Sequence, residues 1–343
     1  MGSHRRSTQP GAGLGARVTV LTAAAATAAA TLGAATANAE PQDTPQTAGA
    51  RVDRLYTEAE RATEQYNKAG EDVARLRGEV SRAQDRAARG QERINRMRDE
   101  LGSAARAQYR SGGIDPSLAL LLTSDPDSYL DRAAAVGRAD TRRATALAEL
   151  SRAQRALAQT RAEATRSLAG LERGREAVSR HKRTVARKLF QARQVLKSLP
   201  GPERAAFERA SRDSRDMTEG PVTGLPAGSS RAAAAVLAVH RALGRPYVWG
   251  ANGPSGFDCS GLMQWAYAQA GVSLPRTSQA QRYAGRMVPL SEARPGDLVA
   301  YRADAGHIGM YVGNGQVIHA PYPGAPVRYD PVGMMPVSSV TRV

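Results

Sequence analysis

The spacing of apolar residues in the first two thirds of the chain leaves room for little besides long, paired helices. From Val52 to Ala104, apolar residues recur in alternating steps of three and four. Steps that average about 3.5 residues form the seam of a left-handed coiled coil. Charged residues and glutamine fill the positions between them, as a solvated helix surface requires. No proline occurs between Pro45 and Pro116, so we predict one continuous helix.

A second helical stretch, from about Tyr129 to Leu199, follows a short break. Paired glycines favour a turn at the start of an apolar insert, residues 112–128. Two long helices joined by a short insert fold back on each other, so residues 51–199 are predicted to form an antiparallel coiled-coil hairpin. Polar residues occupy several core positions of the second helix, which makes its seam only partly apolar: Gln154, Arg161, Arg175 and Lys182.

Two interpretations of this hairpin remain open. It is either a spacer, or an arm that docks a partner through the apolar stretch "SLALLLTSDPDSYL" at its tip. A membrane protein or a protein of the cell-division machinery would be a natural partner for such a tip.

The amino-terminal 39 residues have the features of a signal peptide. Arg5, Arg6 and Arg17 precede a weakly apolar stretch at 18–35, and "ANA" supplies small residues for cleavage after Ala39. Residues 40–50 are predicted to be a short disordered segment. We therefore expect a secreted protein that is associated with the cell wall.

Export changes how the net charge of +16 is interpreted. Nucleic acid, the usual partner of a basic chain, is not expected outside the cell. An anionic wall polymer or membrane surface is the more natural counterpart, with an attraction that salt weakens.

Residues 200–229 gather proline, glycine and serine and are predicted to be a linker before a compact domain at 230–343. The only cysteine of the chain, Cys259, lies in this domain within "GFDCSG". The apolar spacing after it suits a helix that ends at Gly271, so Cys259 falls in the first turn. Free amide groups and the helix dipole stabilise an anion there, which predicts an acidic, nucleophilic thiol. Gly256 and Gly261 are expected to leave room for a substrate backbone.

Two histidines are placed to assist this thiol. The segment "PGDLVAYRADAGHIGMYVGNGQVIHAPYPG" reads as three strands, at 297–301, 307–312 and 316–319. A two-residue Asn314-Gly315 turn would place His307 and His319 on opposite faces. A three-residue loop, with Gly315 in the left-handed conformation, pairs Gly309 with His319 and places both imidazoles on one face. We predict the three-residue loop.

A nucleophile, a base and a residue that orients the base form a generalised catalytic triad. A Cys-His-His set is also a possible zinc site, but the glycine-flanked cysteine at a helix start suits nucleophilic use better. No metal or other cofactor is expected.

Residues 230–343 resemble the NlpC/p60 family of papain-like cysteine peptidases, which cleave bacterial cell-wall peptides. The resemblance rests on stretches that occur in the family's order: "RPYVWG", "FDCSGLMQWAY", "LPRTSQAQ", "RPGDLVAY", "GHIGMYVGNG" and "VIHAP". Ala251 stands where members commonly have a second glycine. The hairpin and signal peptide are similar to those of secreted actinobacterial members. The resemblance implies an α+β fold, with helices packed against an antiparallel sheet.

The resemblance also implies the roles of individual residues. Cys259 corresponds to the nucleophile, His307 to the general base and His319 to the residue that orients this base. Tyr247 corresponds to a tyrosine whose hydroxyl helps to stabilise the oxyanion. Asp258 and Ser260 match positions that contact substrate, although either of them can also cap the helix.

The implied reaction is hydrolysis of the bond between D-γ-glutamyl and the diamino acid of peptidoglycan stem peptides, in wall remodelling or cell separation. Two alternatives stay open: a coiled-coil scaffold whose globular domain binds wall without cutting it, and acyl transfer or amide hydrolysis on another substrate. We also hypothesise that the hairpin restrains the enzyme.

Overall fold

The computed structural model describes residues 45–110, 112–114, 116–122, 128–205 and 229–343. The predicted signal peptide, residues 1–39, and most of the predicted linker lie outside this described part. No helix within the described ranges is long and apolar enough to cross a membrane.

The first helix, α1, spans Pro45–Arg110 and pairs along its length with α3, which spans Tyr129–Ser198. α1 begins within the segment predicted to be disordered, before the predicted hairpin boundary at residue 51. A proline is tolerated there because its missing N–H lies in the first turn of the helix. The predicted apolar insert contains a short helix, α2, at Pro116–Leu121.

The hairpin is antiparallel, as predicted. Val52 of α1 packs with Val195 near one end of the pair, and Gly90 lies against Leu157 further along. Leu147 and Leu168, which the apolar spacing of the second helix places on its seam, are exposed. A pair of helices covers only the middle of each seam, so side chains at its flank stay in water. At the tip, large apolar side chains are exposed: Tyr109, Ile114, Leu118, Leu121, Leu122 and Leu130.

The carboxy-terminal domain contains three helices: α4 (Ser230–Arg241), α5 (Cys259–Gln269) and α6 (Ser278–Gln281). Its six strands pair antiparallel in the order β1-β6-β2-β3-β4-β5. They are β1 (Arg286–Val288), β2 (Leu298–Tyr301), β3 (His307–Gly313), β4 (Gln316–His319), β5 (Arg328–Pro331) and β6 (Val337–Arg342). A 3₁₀ turn at Leu290–Glu292 connects β1 to β2. The α+β fold expected from the sequence is confirmed.

The helices α4 and α5 bury their apolar faces on one side of this sheet. Leu262 and Met263 of α5 pack against Ile308 and Met310 of β3 in the main core, and none of the four is exposed. The Tyr267 hydroxyl donates a hydrogen bond of 2.7 Å to the carbonyl oxygen of Gly296. This packing holds the first turn of α5 over the strand that carries His307.

The turn between β3 and β4 differs from the predicted three-residue loop. Gly313 pairs with Gln316 around a two-residue turn, and Asn314 and Gly315 have φ values of 53° and 69°. Positive φ at both positions is typical of a type I′ turn. A bulge between Tyr311 and Gly313 then shifts the register.

The predicted register is nevertheless correct. Met310 pairs with Ile318, which sets Gly309 opposite His319. A Cβ atom added to Gly309 would lie 3.2 Å from the His319 Cβ, so glycine permits the close approach of the two strands. The bulge, rather than the loop length, brings the two histidines to one face of the sheet.

The amino-terminal half of α1 also packs on the carboxy-terminal domain, and the described residues from Pro45 onward belong to one compact unit. Tyr56 stacks on Tyr322 with ring centroids 4.9 Å apart, and Tyr66 meets Trp249 edge-on at 5.3 Å. α1 therefore belongs both to the hairpin and to the surface that covers the domain.

Candidate active site

Cys259 is the first residue of α5, as predicted, and Asp258 is its N-cap. The Gly261 amide donates a hydrogen bond of 2.7 Å to the Asp258 carboxylate, which is the usual way an N-cap satisfies a free amide. The same carboxylate accepts from the Gly250 amide at 2.9 Å and from the Arg276 guanidinium at 2.6 Å. The Asp258 carboxylate is therefore occupied by hydrogen bonds from other groups of the protein, which indicates a structural role for this residue.

The two glycines that flank Cys259 serve the chain's own packing. A Cβ on Gly261 would lie 2.2 Å from the carbonyl oxygen of Ala251, and one on Gly256 would lie 2.6 Å from the Val248 side chain. Both positions require glycine because the preceding loop lies directly against them. The prediction that they leave room for a substrate backbone is wrong.

The two histidines meet as expected. His307 Nε2 and His319 Nδ1 are 2.7 Å apart, and the rings are nearly perpendicular, at 88°. The Cys259 sulfur, a ring nitrogen of His307 and a carboxylate oxygen of Glu60 all lie within 4.8 Å of one another. The structure thus brings Cys259, His307 and His319 together in a single buried cluster.

Tyr247 and Ser260 also lie at this cluster. Tyr247 is 6% exposed, and burial together with the charge of Cys259 raises its pKa well above the usual range. Its phenol therefore keeps its proton and can act as a hydrogen-bond donor. The Ser260 hydroxyl is fully buried.

Three of the site's side chains that sequence reasoning missed come from α1: Glu60, Glu64 and Asn67. A carboxylate oxygen of Glu60 is hydrogen-bonded to His307 Nδ1, and its other oxygen accepts from Arg302 at 2.7 Å. A carboxylate can only accept hydrogen bonds, so Nδ1 of His307 carries a proton here. Burial by itself would raise the pKa of Glu60, but the charges of His307 and Arg302 outweigh it and lower this pKa.

Glu64 fills the space beside the thiol. It accepts hydrogen bonds from the Ser260 hydroxyl at 2.7 Å and from the Ser278 amide at 2.8 Å, and its Oε1 lies 3.6 Å from the Cys259 sulfur. Burial, with the nearby negative charge of Asp258, raises the pKa of Glu64 to about 7. Asn67, one turn further along α1, donates to the Asp258 carboxylate at 3.0 Å.

These contacts overturn the prediction of an acidic thiol for the conformation seen here. Cys259 is 1% exposed. Burial, followed by the charges of Glu64, Glu60 and Asp258, raises the pKa of its thiol well above the ordinary value, against a hydrogen bond from the Ile308 backbone. The helix start favours a thiolate, but three carboxylates and the loss of water outweigh it.

The sequence offers only a weak signal for this arrangement. Glu60, Glu64 and Asn67 are spaced by four and three residues, so they share one face of α1. That face differs little from the other charged faces of a coiled coil, and its charge predicts a surface in contact with solvent.

The cluster of Glu60, Cys259 and His307 has the donor types of a zinc site. Two of these groups, Glu60 and His307, are already hydrogen-bonded to each other, and Arg302 neutralises the carboxylate. We therefore interpret the cluster as an ion pair next to a thiol.

The carboxy-terminal domain has relatives among known proteins. The model of the NlpC/P60 family matches residues 244–340. A probable endopeptidase of Corynebacterium glutamicum is 44% identical over 126 residues, which are 37% of this chain and 60% of the relative. A probable endopeptidase of Mycobacterium tuberculosis is 44% identical over 119 residues, which are 33% of this chain and 31% of the relative.

Among solved structures, the NlpC/p60 domain of the peptidoglycan hydrolase SagA is 36% identical. The match covers 33% of this chain and 98% of that domain, with a TM-score of 0.31. The chain spans less than two thirds of the length of the curated relatives above, and the hairpin lies outside the family match. Through its carboxy-terminal domain, the chain belongs to the NlpC/P60 family.

Proposed function

We propose that this protein is a cysteine endopeptidase that hydrolyses peptide bonds in peptidoglycan. One observation carries the proposal: the sulfur of the only cysteine lies within 4.8 Å of a nitrogen of His307, whose ring is hydrogen-bonded to His319. A thiol at a helix start with an imidazole base and a second group that orients it is the arrangement for covalent catalysis on a carbonyl.

The chemistry follows from these positions once Glu60 and Glu64 have left the site. His307 Nδ1 takes the thiol proton while the Cys259 sulfur attacks the scissile carbonyl carbon. In this proposal the Tyr247 hydroxyl and the free amide groups at the start of α5 stabilise the oxyanion. The imidazolium then protonates the leaving amine, which leaves a thioester on Cys259. Water, deprotonated by His307, hydrolyses this thioester and frees the thiol.

We propose the bond between D-γ-glutamyl and the diamino acid of a stem peptide as the substrate. The contacts of Glu64 support this choice, since the Ser260 hydroxyl and the Ser278 amide hold a carboxylate beside the sulfur, with Arg276 close by. A γ-linked glutamyl residue carries a free α-carboxylate next to its scissile bond. That carboxylate can take the place of the Glu64 side chain.

We further propose that the conformation described here is a latent form. Glu60 occupies the nitrogen that must accept the thiol proton, and Glu64 occupies the place of a substrate carboxylate. Such latency suits a secreted wall hydrolase, because uncontrolled cutting would damage the cell. The exposed apolar tip of the hairpin is then the natural contact for an activating partner, such as a membrane or cell-division protein.

The decisive experiment is digestion of purified wall by the full chain carrying Glu60→Ala, with and without Cys259→Ala. We expect the second substitution to reduce peptide release by about a thousandfold or more, since it removes the nucleophile. His181→Ala changes a histidine of α3 that makes none of the site contacts described above, so it is the matched control and should leave release unchanged. Undiminished release by the Cys259→Ala protein would refute the proposal, and product mass identifies the bond that is cut.

Occlusion of the site also favours a second candidate, a scaffold whose globular domain binds wall without cutting it. The two candidates differ in one outcome. A scaffold would release no peptide even after Glu60→Ala had exposed the thiol, although the protein would still bind wall.

A further inference from the structure

Asp330 ends a chain of hydrogen bonds that begins at His307, the imidazole next to the thiol. His307 Nε2 lies 2.7 Å from His319 Nδ1, and His319 Nε2 lies 2.7 Å from a carboxylate oxygen of Asp330. Arg328 donates to the same oxygen of Asp330 at 2.8 Å. The strand pairing explains the arrangement, because His319 pairs with Arg328, and Asp330 lies two residues further along β5 on the same face.

The protons of this chain can be placed by elimination. A carboxylate only accepts, so the proton between Asp330 and His319 lies on His319 Nε2. Burial lowers the pKa of His319 to about 4, against the opposing hydrogen bond of Asp330, so the ring is neutral at neutral pH. A neutral imidazole has one N–H, and His319 Nδ1 must therefore accept from His307 Nε2. The remaining nitrogen of a neutral His307, Nδ1, is then unprotonated.

We propose that Asp330 is a positioning residue that, through His319, holds His307 in the tautomer whose Nδ1 is free to take the thiol proton. This inference rests on the proposed peptidase function, and it adds a fourth member to the Cys-His-His set. No proton has to reach Asp330 during the reaction, because the carboxylate acts by accepting the His319 N–H and by facing the positive charge that forms on His307.

An alternative tautomer shows why the carboxylate matters. Without Asp330, His319 can carry its proton on Nδ1 and donate it to His307 Nε2. The neutral His307 would then hold its own proton on Nδ1, next to Cys259, and could not act as a base. Two imidazoles in series need an acceptor at the far end to fix the direction of both N–H bonds. The charged groups that face His319 are Asp330 and Arg328 from β5, with the His307 ring from β3.

The test uses the full chain carrying Glu60→Ala, so that the carboxylate of α1 no longer holds a proton on His307 Nδ1. Into this background we would introduce Asp330→Ala and, as a variant that preserves shape, Asp330→Asn. ¹⁵N-histidine NMR distinguishes the two tautomers of each ring. Steady-state kinetics on a stem peptide separates kcat from KM.

We expect Asp330→Ala to shift His307 towards the Nδ1–H tautomer and to lower kcat by about 10- to 100-fold, with KM changed less than about threefold. Asp330→Asn should lower kcat in the same direction, because its amide oxygen can accept the hydrogen bond from His319 but lacks the negative charge. If the alanine variant does not fold, the loss of kcat in Asp330→Asn, compared with that in the control variant, decides the question. The matched control is Asp297→Asn, since Asp297 is a buried aspartate paired with Arg342 in the same sheet and touches no histidine of the site.

Two results would overturn the proposal: a His307 tautomer that is unchanged in Asp330→Ala, or a loss of kcat in Asp297→Asn as large as that in the Asp330 variants. The NMR measurement needs no substrate. It therefore decides the role of Asp330 even if the protein proves to have no peptidase activity.

Discussion

Single residues of the site show how partners determine protonation. Burial by itself would raise the pKa of Asp330, but the hydrogen bonds and charges of His319 and Arg328 outweigh it and lower this pKa. Glu64 has fewer positive neighbours, and burial raises its pKa instead. Similar carboxylates in one buried cluster thus favour different charge states because their neighbours differ.

The low pKa of His319 predicts how stability depends on pH. The ordinary value of 6.5 applies to the unfolded chain, whereas the folded value is about 4. Between these values the unfolded state binds more protons, so stability falls as pH is lowered from 6.5 to 4 and the loss levels off below 4. Over the whole range from pH 6.5 to pH 4, the free energy of unfolding should fall by an amount on the order of 3 kcal/mol.

The comparison that isolates this effect is His319→Gln, which removes the titrating ring. Denaturant unfolding of both proteins from pH 7 to pH 4 should show the wild type losing more stability than the variant. Parallel curves over this range would contradict the assigned pKa of His319.

At the scale of secondary-structure elements, α1 presents two faces to two different surfaces. Ala59 and Ala62 pack against Val185 and Leu189 of α3, while Glu60 and Glu64 enter the site of the globular domain. The helical repeat places both faces on the same turns of the helix. α1 therefore couples the hairpin directly to the nucleophile.

The two glutamates of α1 are expected to have opposite effects on the equilibrium between a closed form, in which α1 covers Cys259, and an open form, in which Cys259 is accessible. In the closed form, ionised Glu60 is stabilised by His307 and Arg302. Glu60→Gln should therefore raise the equilibrium constant for opening by about 10- to 100-fold. Ionised Glu64 is destabilised by burial in the closed form. Above pH 7, Glu64→Gln should therefore lower the equilibrium constant for opening by up to about 100-fold. In the wild type, the fraction of open molecules should increase as pH rises from 4.5 to 7, because over this range Glu64 loses its proton more readily in the open form than in the closed form.

Opening can be measured through Cys259, since a thiol reagent labels no other residue of this chain. A pyridyl disulfide reacts with thiols even at acid pH, and the ratio of variant to wild-type rates cancels the reactivity of the thiol itself. Glu71→Gln, at an exposed glutamate of α1, is the control and should react like the wild type. Equal rates for the Glu60 and Glu64 variants would contradict the opposite signs predicted here.

At the scale of the whole molecule, the hairpin reaches from the nucleophile to an exposed apolar tip. Val185 of α3 is fully buried behind the part of α1 that covers the site. A change in the pairing of the two helices, such as one produced by a partner at the tip, can therefore reach the thiol through packed side chains.

Val185→Ala tests this coupling. The cavity should weaken the support of α1 and raise the labelling rate of Cys259 by about tenfold, which corresponds to about 1.4 kcal/mol. Leu147→Ala, at an exposed leucine of the same helix, should leave the rate unchanged. A rate that is equally unaffected by both substitutions would show that the hairpin does not support closure.

Much of the architecture could be predicted from local patterns. The heptad spacing predicted the antiparallel hairpin, and the residues around Cys259 predicted a helix that begins there. The placement of His307 and His319 on one face was also correct, although the bulge that produces it was not predicted. Such features depend on neighbours within one helix or hairpin, where periodicity and turn chemistry determine the backbone.

The contacts of Glu60, Glu64 and Asp330 were decided only by the tertiary structure. Glu60 meets His307 across 247 residues of sequence, and Glu64 meets Cys259 across 195. A helical repeat indicates which residues share a face, but it does not indicate which surface that face will cover. The sequence by itself determined which residues can do the chemistry, and the packing of α1 decided that the thiol is buried among carboxylates and protonated in this conformation.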